Sequence, residues 1–145
     1  HKTPRRQRQM CIRDRAMPMT RMKRRKEFVR TASSGFHASY TGLALQARVR
    51  RNGEYSAPEA RVGFTTSKKV GNAVKRNRAR RRLRQAAENI LSGNARPDLD
   101  YVIVGKAATV DRTFDRLETD LAKAIDTVHA KIDKRAAKQQ GRLET

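Results

Sequence analysis

Residues 61–84 read RVGFTTSKKVGNAVKRNRARRRLR. Val62 and Phe64 alternate with Gly63 and Thr65, the period of a half-buried strand. Gly71 and Asn72 break that period, and either residue type opens a helix. From Ala73 the repeat becomes helical. Ala79, Leu83, Ala86, Ala87, Ile90 and Leu91 share one face, and Asn77, Arg78, Arg81, Arg84 and Gln85 share the other. The segment holds Arg61, Lys68, Lys69, Lys75, Arg76, Arg78, Arg80, Arg81, Arg82 and Arg84, and no acid lies between Glu59 and Glu88. It therefore carries +10 of the chain's formal +21. The apolar face is narrow in the first helical turns, so the C-terminal half anchors the helix and the N-terminal half points toward a polyanion. A helix N-terminus adds partial positive charge and free N–H groups, which favour phosphate.

Upstream, residues 43–50 alternate: Leu43, Leu45, Ala47 and Val49 against Ala44, Gln46, Arg48 and Arg50. This is a strand with a partly basic outer face. Residues 51–60 contain Asn52-Gly53 and Pro58, a hairpin-like turn, so the strand at 61–66 is expected to return antiparallel. Residues 21–32 read as a short basic helix anchored by Met22, Val29 and Ala32, and residues 32–42 as a loop holding Phe36, His37 and Tyr40. Residues 1–20 are basic and aperiodic with two prolines, a disordered tail. Within it, Met10 to Arg15 matches a translated transposon adapter, so the expected natural start is Met17, Met19 or Met22.

Downstream, residues 92–100 form a loop in which Asp98 and Asp100 read as solvated acids. Residues 101–105 (YVIVG) are a continuous apolar run, a central strand. Phe114, Leu117, Leu121, Ala124, Ile125 and Val128 then mark a helix, with Asp111 or Thr113 as its cap. Residues 111–128 sum to −2, which places this helix on the far side of the sheet from the polyanion. Residues 131–145 form a basic C-terminal tail that frays or prolongs the helix. The organised domain is expected over 21–130.

Composition excludes several classes. The length suits one domain, and with 5% aromatics and no Trp the core is small and aliphatic. No apolar run is long enough to cross a membrane. Cys11 stands alone, so there is no disulfide framework, and no Cys/His cluster suggests zinc. The expected location is cytoplasmic. A pI near 11.5 calls for nucleic acid rather than a membrane surface, because the basic helix lacks large apolar residues to insert.

The runs Arg61-Val62-Gly63-Phe64, Ser67-Lys68-Lys69-Val70-Gly71-Asn72-Ala73-Val74, Arg76-Asn77-Arg78 and Arg80-Arg81-Arg82-Leu83-Arg84 resemble the signature of the bacterial ribonuclease P protein component. The resemblance extends more weakly over residues 22–128. It implies an α/β (α+β) single-domain sandwich with a small mixed sheet of about four strands in the order αβββαβα. The basic helix would lie in a left-handed βαβ crossover, against the usual right-handed preference. It also implies a subunit that binds a catalytic RNA and the 5′ leader of precursor tRNA, the RNA cutting with Mg²⁺ that it mainly holds itself. RNA contacts are expected from Lys68, Lys69, Asn72, Lys75, Arg76, Asn77, Arg78, Arg80, Arg81, Arg82 and Arg84. Leader contacts are expected from Phe28, Arg48 and Phe64. From its residue type alone Phe28 reads as a core aromatic, and Phe64 reads equally as core.

Three rival functions share parts of this pattern. A ribosomal-type structural RNA-binding protein shares charge and size but not the motif at 67–84. A DNA-binding helix would need a base code that bare arginines do not supply, so no DNA partner is expected. An independent hydrolase would need a catalytic constellation, and no paired carboxylates or Ser/His/Asp context supports one.

Overall fold

The computed structural model describes residues 19–50 and 60–144. The elements are β1 (Met19–Arg21), α1 (Arg25–Ser34), β2 (Phe36–Ser39), β3 (Leu43–Val49), β4 (Ala60–Thr66), α2 (Ala73–Ile90), β5 (Leu99–Gly105), α3 (Ala107–Asp111) and α4 (Phe114–Glu144). Short 3₁₀ turns precede and follow α2, at Lys68–Val70 and Leu91–Gly93. Apart from the three-residue β1 and the five-residue α3, the order is the expected αβββαβα.

The sheet runs β1-β4-β5-β3-β2. β5 is parallel to β4 and antiparallel to β3, with Ile103 opposite both Phe64 and Leu45. The expected β3–β4 hairpin is therefore not a pair of neighbours. β5, almost wholly buried, takes the centre and separates them. The turn read at residues 51–60 lies, but for Ala60, outside the described residues, as does most of the tail read at 1–20. The last residues of that tail are not irregular, since Met19 and Thr20 pair with Ala60 and Arg61. The loop read at 32–42 contains β2, whose four residues are too few for alternation to stand out.

Strand parity sorts the two faces. Leu43, Leu45, Val62, Leu99, Tyr101 and Ile103 meet Leu83, Ala86 and Ala87 of α2 and Leu117, Leu121, Ile125 and Val128 of α4 in one core. Burying each of the Val, Leu and Ile side chains in it stabilises by about 1.5–3 kcal/mol. The α4 helix thus shares its face with the basic helix, where its charge had placed it away from RNA. Asn89 Nδ2 donates to Glu118 Oε2 at 3.0 Å between the two helices. The core also takes in Ile132, beyond the boundary expected at residue 130, and α4 continues through the expected tail to Glu144. Tyr101 Oη lies 2.7 Å from His129 Nε2 and accepts from Arg96 N at 2.9 Å, which fastens α4 to β5. Burial pushes this phenol up to about 12.

Among the described residues the opposite face carries α1 alone. Gly63 permits the approach, because a Cβ there would stand 2.5 Å from Phe28 Cε1. Beside it, Arg61, Asp100 and Arg48 are register partners across three strands. Asp100 is 1% exposed. It accepts from Arg61 Nε and Nη2, each at 2.9 Å, and faces Arg50 Nη1 at 3.4 Å and Arg48 Nη1 at 4.0 Å. Arg61 Nη1 also donates to Glu27 Oε1 of α1 at 2.9 Å. Asp100 is thus not the solvated loop acid its neighbours in sequence suggested. Removing one partner of a buried ion network leaves uncompensated charge, at a cost of about 3–5 kcal/mol. Asp100→Ala should lower the unfolding free energy by that amount in urea titration, whereas Asp98→Ala, at an exposed position, should change it by less than about 0.5 kcal/mol.

Candidate nucleic-acid interface

The chain enters α2 through a built turn. Ser67 Oγ accepts from Lys69 N at 3.1 Å, and Gly71 takes φ = 132°, a conformation that side chains disfavour. Asn72 then caps the helix, its Oδ1 accepting from Lys75 N at 3.0 Å. Asn72 was read as an RNA contact, and its carbonyl oxygen is engaged in this cap.

The helix presents its cations in two grades. Lys68, Lys69, Lys75, Asn77, Arg78, Arg81 and Arg84 are exposed, whereas Arg76, Arg80 and Arg82 are half-buried. Arg80 Nη2 donates to Asn77 Oδ1 at 2.9 Å, orienting that amide. Arg82 Nη2 donates to the Arg112 carbonyl, so this side chain braces α2 against the start of α4. None of Lys68, Lys69, Lys75, Arg78, Arg81 and Arg84 has a carboxylate partner among the described residues. The buried residues Ala79, Leu83, Ala86 and Ala87 are those of the expected apolar face. Val74, 76% exposed in the first turn, is an apolar side chain amid cations that sequence reading passed over, because it lies off the periodic stripe.

A groove of about 640 Å³ opens on the other face, between α1 and the sheet. One wall is Lys23, Arg25, Phe28, Val29 and Ala32, and the floor includes Gln46, Val102 and Val104. Thr65, Thr66 and Ser67 lead from its edge toward α2. Val29 is 56% exposed, leaving apolar surface beside the basic rim. Of the three expected leader residues, only Phe28 stands squarely here. Phe64 borders the groove but has the parity of Val62 and packs on the main core, with Arg21 Cζ 5.8 Å from its ring centroid. Arg48 is not a wall of this groove. It is 8% exposed and its guanidinium faces Asp100, with Nη1 4.0 Å from Oδ2. Val102 and Val104 were missed as floor residues because the apolar β5 shows no polar alternation to mark its outer side, whereas Gln46 lies on the outer face read for β3.

A family model described as Ribonuclease P matches residues 17–129. The chain belongs to the ribonuclease P protein family. Among relatives, it is 43% identical over 115 residues to the ribonuclease P protein component of Paramagnetospirillum magneticum AMB-1, covering 79% of this chain and 86% of that protein. It is 46% identical over 110 residues to the ribonuclease P protein component of Ruegeria pomeroyi, covering 75% and 86%. Among solved structures, the RNase P protein of Staphylococcus aureus superposes with a TM-score of 0.60 at 23% identity, over 74% of this chain and 93% of that one. The Thermotoga maritima RNase P protein gives 0.57 at 19%, over 74% and 96%. These two support the fold. The family makes this chain a protein component of the ribonucleoprotein endonuclease ribonuclease P, whose partner is ribonuclease P RNA.

The two grades of arginine predict different losses. Arg78→Ala and Arg81→Ala should each weaken binding to ribonuclease P RNA by about 1–3 kcal/mol with an unchanged unfolding midpoint. Arg82→Ala should lower the unfolding midpoint as well. Filter binding and thermal unfolding on the same variants separate the two.

Proposed function

We propose that the chain grips the RNA subunit with the exposed face of α2 and receives the single-stranded 5′ leader of precursor tRNA in the groove beneath α1. The observation that carries this reading is the set of exposed cations on the outer face of α2, Arg78, Arg81 and Arg84, with Lys68, Lys69 and Lys75 at the helix entrance, none of them with a carboxylate partner among the described residues. Folded RNA hides its base edges in a deep major groove, so proteins meet it mainly through phosphate and shape. Guanidinium forks suit that task because each spans two phosphate oxygens. Asn77, held by Arg80, keeps its amide N–H groups for a base edge or a 2′-hydroxyl.

The groove suits a flexible strand. Phe28 and Val29 offer apolar surface on which a base or sugar can rest, Lys23 and Arg25 face phosphates, and the hydroxyls of Thr65, Thr66 and Ser67 line the path toward α2. The cleavage chemistry belongs to the RNA in this reading. In the same reading Mg²⁺ is held mainly by the RNA. The protein's part is to neutralise phosphate repulsion between enzyme and substrate, which otherwise demands more Mg²⁺.

The test is cleavage of a precursor tRNA by ribonuclease P RNA at low Mg²⁺, with and without the chain. The expected outcome is that added protein restores leader removal, and that Phe28→Ala reduces the gain for a long leader more than for a one-nucleotide leader. Cleavage at low Mg²⁺ that is unchanged by the protein would leave a purely structural RNA-binding role instead.

A further inference from the structure

One strongly charged surface belongs neither to α2 nor to the groove. The α4 helix outruns the core: Ile132 is its last buried residue, and positions 133–141 are all exposed. Residues 133–144 extend it by about 18 Å. Lys131, Lys134, Arg135 and Lys138 stand at i, i+3, i+4 and i+7, which puts them on one face. Residues 131–142 sum to +4, and their one acid, Asp133, is clamped by Arg96 Nη1 and Nη2 at 2.7 and 3.0 Å.

Such an overhang is poorly supported from within. Over 133–141 it adds no buried apolar stripe, its i,i+4 pairs Lys131–Arg135 and Lys134–Lys138 repel, and a helix this short is marginal alone in water. Its base is nonetheless ordered against β2. Lys131 Nζ donates to the His37 carbonyl at 2.5 Å, and Arg135 Cζ lies 5.7 Å from the Phe36 ring centroid. Lys134 and Lys138 project with no carboxylate partner among the described residues.

Topology separates this surface from the other two. Arg96, which clamps Asp133, lies three residues before the start of β5, whereas β5 ends at Gly105 beside Thr66, where the chain turns toward α2. The overhang thus sits at the opposite end of the central strand from the start of α2, about 20 Å away along the sheet.

We propose that the C-terminal overhang of α4 is a second phosphate-contacting surface, occupied by the backbone of a structured segment of the RNA subunit. The inference rests on the reading of the chain as that RNA's partner. Charge complementarity carries it: a four-cation face without internal neutralisation fits a polyanion, and a large folded RNA can reach both ends of a small protein. Phosphate contacts of this kind fix orientation rather than read sequence.

The experiment titrates the full chain, K134Q/R135Q/K138Q and R78Q/R81Q against ribonuclease P RNA over a range of salt, with circular dichroism on each. Each lost phosphate contact makes the log–log salt slope shallower by about 0.7–0.9. The triple variant should therefore flatten the slope by about 2, with affinity at low salt falling at least tenfold and helicity of the free protein retained. An unchanged slope for K134Q/R135Q/K138Q, with the R78Q/R81Q slope reduced, overturns this surface alone. Unchanged slopes for both variants overturn the functional reading beneath it. If the triple variant binds the RNA subunit normally but its holoenzyme loses affinity for precursor tRNA, the occupant is the substrate and the proposal fails.

Discussion

Asp100 is the charge on which the arrangement turns. A chain with 35 basic and 14 acidic side chains cannot close a core unless the cations that must enter it are neutralised there. Asp100 meets that requirement for the sheet, facing arginines on β3 and β4 at once. Through Arg61 the same network reaches Glu27, so it also fixes α1 over the sheet. Neither acid is spent on α2. The result is a division of the arginines into a neutralised inner set and an outer set on α2, Arg78, Arg81 and Arg84, without a carboxylate partner among the described residues.

That division links packing to function. The inner set gives α1 a fixed seat, and α1 with the sheet makes the groove. The outer set rides on a helix whose buried residues, Leu83 and the small Ala79, Ala86 and Ala87, hold it close to the core while leaving its cations in solvent. The two helices on the core face brace one another through Asn89 with Glu118 and through Arg82 with the Arg112 carbonyl. The helix that the proposed function sets against phosphate is therefore braced at two points along its length.

Much of this was legible in the sequence, and the exceptions have physical causes. The α2 helix, its two faces, the central strand and α4 were readable because long periodic segments leave a clear trace. β1 and β2 were not, since three or four residues hold too little of a period. The pairing of β3 with β5 was also hidden, because register is decided by which strand is most deeply buried and not by which comes next. Arg48 and Asp100 were misassigned for a related reason. On a strand, the side that faces solvent in isolation became a covered face once α1 packed over it. Phe28 was placed at the groove through family resemblance, which a lone aromatic on a basic helix could not have established.

The sharpest measurement of this division is arginine-specific chemical modification read by mass spectrometry, on the free chain and on the chain bound to ribonuclease P RNA. Arg61 and Arg48 should resist the reagent in both states, while Arg78, Arg81 and Arg84 should react in the free protein and become protected by the RNA. Ready modification of Arg61 in the folded free protein, or undiminished modification of Arg78 and Arg81 in the complex, would contradict the account.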